Sequence, residues 1–165
     1  MYFKQRDLFG SLDKEFVGDI MNTAETESPP VGEMLFQEGD PATWLFILLK
    51  GSIKLRLGHT GRAVYLVSHP GEVFGWSSLV GRASYSASAE CMTPTKLLRF
   101  DKNRLQEIIQ KDAASSIALF QNLAAILGER LIRSYEFNIS ATGGDAYASV
   151  GTGQVMEVAE AELET

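Results

Sequence analysis

Between Val31 and Phe100 the chain reads as short apolar runs broken by turn formers, and this alternation limits the possible folds more than any other feature. The runs are Met34–Phe36, Trp44–Leu49, Ile53–Leu57, Val64–Val67, Val73–Phe74, Ala87–Cys91 and Lys96–Phe100. Between them stand Glu38-Gly39-Asp40-Pro41, Lys50-Gly51-Ser52, Gly58-His59-Thr60-Gly61 and His69-Pro70-Gly71-Glu72. Strand-length runs with glycine and proline punctuation predict seven or eight strands in a sandwich or jelly-roll barrel. His59-Thr60, flanked by two glycines, predicts a hairpin tip.

The flanks read as helix. Within residues 4–25, Leu8, Leu12, Phe16, Val17, Ile20 and Met21 recur at helical intervals, with Gly10-Ser11 as a break. Two short helices are predicted there, the second capped near Ser11 or Asp13, and Ser28-Pro29-Pro30 ends them. Beyond the strands, Asp101 has the chemistry of an N-cap for a helix through Lys111, and Asp112 or Ser115 opens a longer one. In the longer helix Ile117, Phe120, Ala124, Leu127 and Leu131 follow a spacing of 3, 4, 3, 4. Leu119, Leu123 and Ile126 form a neighbouring stripe. Two apolar stripes need two partners: one is the barrel, and the other is a second copy of the helix.

After Glu136 the 29 remaining residues are rich in small residues and then acidic, which predicts a flexible tail over 137–165 with weak helical character in Gln154–Leu163. The expected layout is one domain over 1–136, with helices in 4–25, a β-roll over 31–100 and helices over 101–136. The net charge of −6 is concentrated in this tail, where five acids lie with no base, leaving residues 1–136 near −1. No basic surplus exists to neutralise phosphates, so direct nucleic-acid binding is not expected. No apolar run is long enough to span a membrane, and the start, MYFKQRDLFG, has no apolar leader. A single cysteine, Cys91, fits a reducing compartment, and a cytoplasmic location is expected.

Several stretches together carry a resemblance. Val31–Asp40 (VGEMLFQEGD), Trp44–Ile53 (WLFILLKGSI), Gly71–Gly75 (GEVFG) and the helices over Asp101–Glu136 are similar, in order and spacing, to the cyclic-nucleotide-binding domain superfamily typified by the catabolite activator protein. The resemblance covers roughly residues 5–136. It implies an α+β fold: a β jelly roll (double-stranded β-helix) flanked by N-terminal helices and two C-terminal helices. It also implies a ligand cassette running from Phe74 and Gly75 through Ser77, Ser78 and Leu79 to Ser86 and Ala87. In such a cassette, backbone N–H groups at a short helix N-terminus hold the phosphate. A glutamate after the glycine accepts from the ribose, and an arginine grips the phosphate. Here those positions carry Trp76 and Tyr85.

A hydrogen bond to a charged group contributes about 1.5–3 kcal/mol, so loss of the arginine alone weakens binding by about 10- to 150-fold. Cyclic AMP binding in the usual mode is therefore not expected. Arg82 lies three residues before the vacant position and either swings in or stays solvated on its loop. Glu72 is expected to point to solvent. Trp76 and Tyr85 either stack on a planar ligand or fill the space themselves. The resemblance places polar groups against a purine at Ser134 and Tyr135.

Other chemistries find no constellation. His59 and His69 both fall in turns and do not make a metal site, and no catalytic triad can be assembled. Gly143-Gly144-Asp145 and Gly151-Thr152-Gly153 lack the strand–helix context of a phosphate loop. Two readings stand. The first is a non-enzymatic regulatory sensor that binds a small effector, such as cyclic AMP or cyclic GMP in an atypical mode, and signals to a protein partner through a homodimeric helix (Phe120, Ala124, Leu127, Leu131). The second is a ligand-free dimeric scaffold with an aromatic-plugged pocket.

Overall fold

The computed structural model describes residues 7–58 and 63–142. Two compact units are distinguished, one up to Glu129 and one from Arg130 onward. The first holds α1 (Lys14–Met21), eight strands, α2 (Lys102–Lys111) and the start of α3 (Ala113–Thr142). The strands are β1 (Glu25–Glu27), β2 (Met34–Phe36), β3 (Trp44–Lys50), β4 (Ile53–Arg56), β5 (Ala63–Val67), β6 (Val73–Phe74), β7 (Ser88–Cys91) and β8 (Lys96–Asp101). They form two four-stranded antiparallel sheets, ordered β1-β8-β3-β6 and β2-β7-β4-β5. This is the jelly-roll arrangement expected from the strand spacing.

β3 explains why the longest apolar run lies where it does. Leu45 and Ile47 face a core shared with the helices, including Ile20, Phe100, Leu105, Leu119 and Leu123. Phe46 and Leu48 face the interior of the roll, with Phe36, Ile53, Phe74 and Leu97. A strand buried on both faces has no polar side, so it reads as continuous hydrophobe rather than alternation. Cys91 lies in the roll interior, and burial pushes its thiol above the ordinary value. It is core rather than nucleophile.

Capping follows the sequence closely. The Asp13 carboxylate accepts from the N–H groups of Glu15 and Phe16, and Asp101 does the same for Asn103 and Arg104. Asp112 Oδ1 accepts from Ser115 N and opens α3.

Two expectations need correction, and two features were not anticipated. Residues 7–11 form turns, with Ser11 at φ 61°, so the described part of the N-terminal region contains one helix. The reason is side-chain capture: Leu8 and Phe9 are buried in the core, and the Asn122 amide donates to the carbonyls of Leu8 (3.1 Å) and Gly10 (2.9 Å). The backbone is therefore held by α3 rather than by its own helical bonds. β1 was not anticipated. Its sequence, Glu-Thr-Glu, is polar, and it is held by pairing with β8 and by Arg99, which contacts Glu25 (2.7 Å) and Glu27 (2.5 Å). α3 continues to Thr142, six residues past Glu136, because nothing before Gly143-Gly144 breaks it. The cassette helix is a single 3-10 turn, Trp76–Ser78. His59-Thr60 and residues 143–165, including the two glycine-rich motifs and Gln154–Leu163, lie outside the described residues.

Within the first unit the two stripes of α3 separate only in part, since Phe120 and Leu127 of the outer stripe are half-buried against the helix-side core, as is Ile126 of the inner one. Leu119 and Leu123 are buried, whereas Ile117 is 61% exposed and Ala124 is exposed. Leu123→Ala is expected to cost about 2–5 kcal/mol in urea unfolding, and Val64→Ala, on an exposed strand position, well under half as much.

Candidate functional site

The candidate cassette is positioned by a turn on one side and a strand edge on the other. In the Glu38–Pro41 turn, Asp40 accepts from Gln37 N through Oδ2 (2.9 Å). The same turn grips the segment before β7: Gly39 N donates to Tyr85 O, Tyr85 N to Asp40 O, and Ala42 N to Ala83 O. Tyr85 is thus held by its backbone on both sides, with its side chain directed into the roll.

There the phenol does the work of a strand. Along one edge of β3, Leu48 exchanges hydrogen bonds with Gly71 and Glu72, and Phe46 pairs with Phe74. β6 ends at Phe74, and two residues further along the same edge of β3 comes Trp44. Its N–H donates to the Tyr85 hydroxyl (2.9 Å), and its carbonyl accepts from that hydroxyl (2.8 Å). One oxygen, donor and acceptor at once, replaces the backbone pair that β6 no longer supplies. The ring stacks on Phe36 with centroids 3.8 Å apart and planes at 17°, next to the Phe46–Phe74 stack. Tyr85 is 4% exposed, and burial pushes its phenol above the ordinary 10.0, against the opposing pull of its hydrogen bonds. Outside, the Trp44 ring carries the Arg99 guanidinium 4.1 Å above its face.

Gly75 has a steric reason. It sits at φ 68°, and a Cβ there would come within 2.9 Å of the Phe46 ring and 3.0 Å of the Trp44 carbonyl. The following turn is closed on itself. Ser78 Oγ donates to Gly75 O (2.9 Å), Leu79 N to Trp76 O, and Arg82 N to Ser77 O. Ser78, one of the residues of the implied cassette, is fully buried and its hydroxyl is committed to the Gly75 carbonyl. A single 3-10 turn also sums few peptide dipoles, so its N-terminus is a weaker electrostatic site than a long helix would be.

What remains beside Gly75 is a recess of about 30 Å³, bordered by Phe36, Leu55, Trp76, Ser77, Tyr85, Ser86 and Ala87. That is roughly a tenth of the smallest ligand pockets, about 300 Å³, and room for about one water. Trp76 is half-buried against the helix-side core. Phe74 and Leu79 are core residues. Arg82 is exposed on its loop, and its carbonyl accepts from Lys102 Nζ (3.3 Å). Ser134 and Tyr135 belong to the unit beginning at Arg130 and are exposed.

Glu72 corrects a prediction. Rather than pointing to solvent, its carboxylate accepts from the Tyr65 hydroxyl (2.7 Å) and from the N–H groups of Ser68 and His69 (2.8 Å each), closing the turn between β5 and β6. A carboxylate three and four residues after two N–H donors in a Pro-Gly turn is a readable signal of this clasp. Among the described residues, no cluster of three or more His, Cys, Asp or Glu is placed to hold a metal ion.

Comparison with known proteins agrees with the fold. The family model of the cyclic nucleotide-binding domain matches residues 27–112. The chain belongs to that family. A candidate cyclic nucleotide-binding protein from Geobacter metallireducens has a crystal structure similar at a TM-score of 0.68, with 33% identity, covering 75% of this chain and 91% of that one. The cyclic AMP receptor protein of Thermus thermophilus is 30% identical over 131 residues, which is 78% of this chain and 58% of that protein. A candidate potassium channel protein of Rhodopseudomonas palustris is 27% identical over 143 residues, 87% of this chain and 34% of that protein. The chain therefore spans less than two thirds of each of these two curated relatives. No helix among the described residues is long and apolar enough to cross a membrane.

Tyr85→Phe is expected to cost about 1–3 kcal/mol in urea unfolding, because it leaves the N–H and C=O of Trp44 uncapped. The phenol's folded pKa lies above its unfolded one, so its contribution is fully present below pH 10.0 and is lost as pH rises through the folded value. Stability measured from pH 9 upward should therefore fall less steeply in Tyr85→Phe than in the wild type.

Proposed function

We propose that the chain is a regulatory module of the cyclic nucleotide-binding family whose pocket is filled by its own Tyr85, and which pairs with a second copy along α3. The observation that carries the reading is the Tyr85 phenol, stacked on Phe36 and bonded twice to Trp44, with about 30 Å³ left beside Gly75. A cyclic mononucleotide needs that space and an ionic partner for its phosphate. Returning an arginine to position 85 would leave the edge of β3 unpaired, so the plug and the strand depend on each other. No catalytic role is assigned to any residue.

The pairing rests on α3. Ile117, Phe120 and Ala124, with Ile109 and Ala113, line an open apolar groove of about 690 Å³. The 3.5-residue spacing continues through Leu127 and Leu131, which is the period at which two helices stay in register around each other. A second copy of the same stripe is the occupant that this period fits. Through such a pair, a bias on one body reaches its mate.

A second reading keeps an effector in the recess. Ser77, Ser86 and Trp76 border its opening, and a ligand larger than a water would bind by displacing the Tyr85 ring, which makes that ring the gate.

Two measurements test these readings. A ligand at its Kd stabilises by about 0.4 kcal/mol, or about 1–2 °C in Tm for a domain of this size. Cyclic AMP and cyclic GMP at millimolar concentration are expected to move Tm by less than this, and a shift of several degrees overturns the filled-pocket reading in favour of the gate. Sedimentation should give a dimer for the wild type and a monomer for Ile117→Glu or Leu131→Glu. Both sites are more than half exposed, so the substitutions spare the fold. Unchanged mass in the variants removes α3 from the interface.

A further inference from the structure

We propose that residues Asp7–Leu12 are a strap that couples α3 to the approach strand of the cassette, with Asn122 as the positioning residue at its α3 end. The inference depends on neither a ligand nor a dimer, so it stands or falls separately from the reading above.

The α3 end of the strap is polar and specific. Asn122 Nδ2 donates to Leu8 O at 3.1 Å and to Gly10 O at 2.9 Å, across more than a hundred residues of sequence. Two carbonyl acceptors leave no choice of amide orientation: the nitrogen must face them. The middle is apolar. Leu8 and Phe9 are buried in the core that contains Leu119 and Leu123, and the Phe9 ring meets Phe100 edge-on at 6.1 Å. The other end reaches the β-roll, where the Asp7 carboxylate packs over Gly71, close enough that a Cβ there would lie 3.1 Å from Asp7 Oδ1.

Gly71 is not an arbitrary landing point. Its N–H donates to Leu48 O, and Leu48 N donates to Glu72 O, which sets the start of β6 against β3. Two residues of β6 then lead directly to Gly75. The strap is also the place where, among the described residues, a non-glycine residue takes positive φ: Ser11 at 61°. Such a conformation persists where surrounding contacts over-determine it. A displacement of α3 at Asn122 must therefore either break both hydrogen bonds or carry residues 8–10 along, and with them Asp7 against the Gly71 turn.

The test is hydrogen–deuterium exchange on the full chain. Asn122→Asp keeps the side-chain size but removes both donors. Exchange is expected to accelerate by on the order of tenfold or more at residues 8–12 and also at residues 71–75, while amides in the middle of α2 keep their wild-type rates. Acceleration confined to residues 8–12, or absent there, overturns the proposal. Should Asn122→Asp fail to fold, Asp7→Ala runs the test from the opposite end. Faster exchange at both 71–75 and 8–12 supports coupling, and unchanged exchange at 8–12 overturns it.

Discussion

The hydrogen-bonded edge of β3 is the constraint on which the rest of the body is arranged. β3 is the shared wall between the roll interior and the helix layer, so its backbone lies in apolar surroundings over most of its length. An unpaired N–H or C=O there costs more than a hydrogen bond contributes. β6 covers only part of the edge before the chain turns away at Gly75. The Tyr85 phenol takes over at Trp44, and once it is there its ring must lie in the roll. The hydrogen bonds that complete this edge of the sheet also set the Tyr85 ring against Phe36.

This view changes what divergence from the family's ionic pattern means here. Loss of an arginine could leave an empty, weakened site. Here the side chain at that position, Tyr85, is stacked, hydrogen-bonded and held by the Gly39–Asp40 turn through its own backbone. The turn that aims this position belongs to one of the stretches that carry the family resemblance. Gly75 is subject to the same geometry, since the Phe46 ring and the Trp44 carbonyl occupy the space a side chain would need.

Much of the architecture was legible because it rests on local signals. Gly-rich punctuation marked the strands, Asp13, Asp101 and Asp112 marked helix starts, and the two stripes of α3 separated buried Leu119 and Leu123 from exposed Ile117. What escaped depends on partners distant in sequence. Glu25-Thr26-Glu27 has no strand composition and pairs because Arg99, seventy-odd residues later, balances its acids. Leu8 and Phe9 fit a helical period, yet Asn122 holds their backbone in a turn. Where each cassette aromatic packs could not be chosen from sequence: Trp76 lies against the helix-side core, and the place of Tyr85 in the roll depends on where β6 stops, which no residue type announces. Glu72 was misjudged because its three donors come from a turn whose shape is set by pairing on both sides.

The near-absence of free space beside Gly75 has a mechanical corollary. Hydrostatic pressure unfolds proteins largely by eliminating internal voids, so the volume change scales with the emptiness of the native interior. A nucleotide receptor with a vacant chamber is compressible there, whereas a roll packed with four stacked rings is stiff. The four rings of Phe36, Phe46, Phe74 and Tyr85 therefore stiffen the centre of the roll, leaving its margins as the parts able to yield under load.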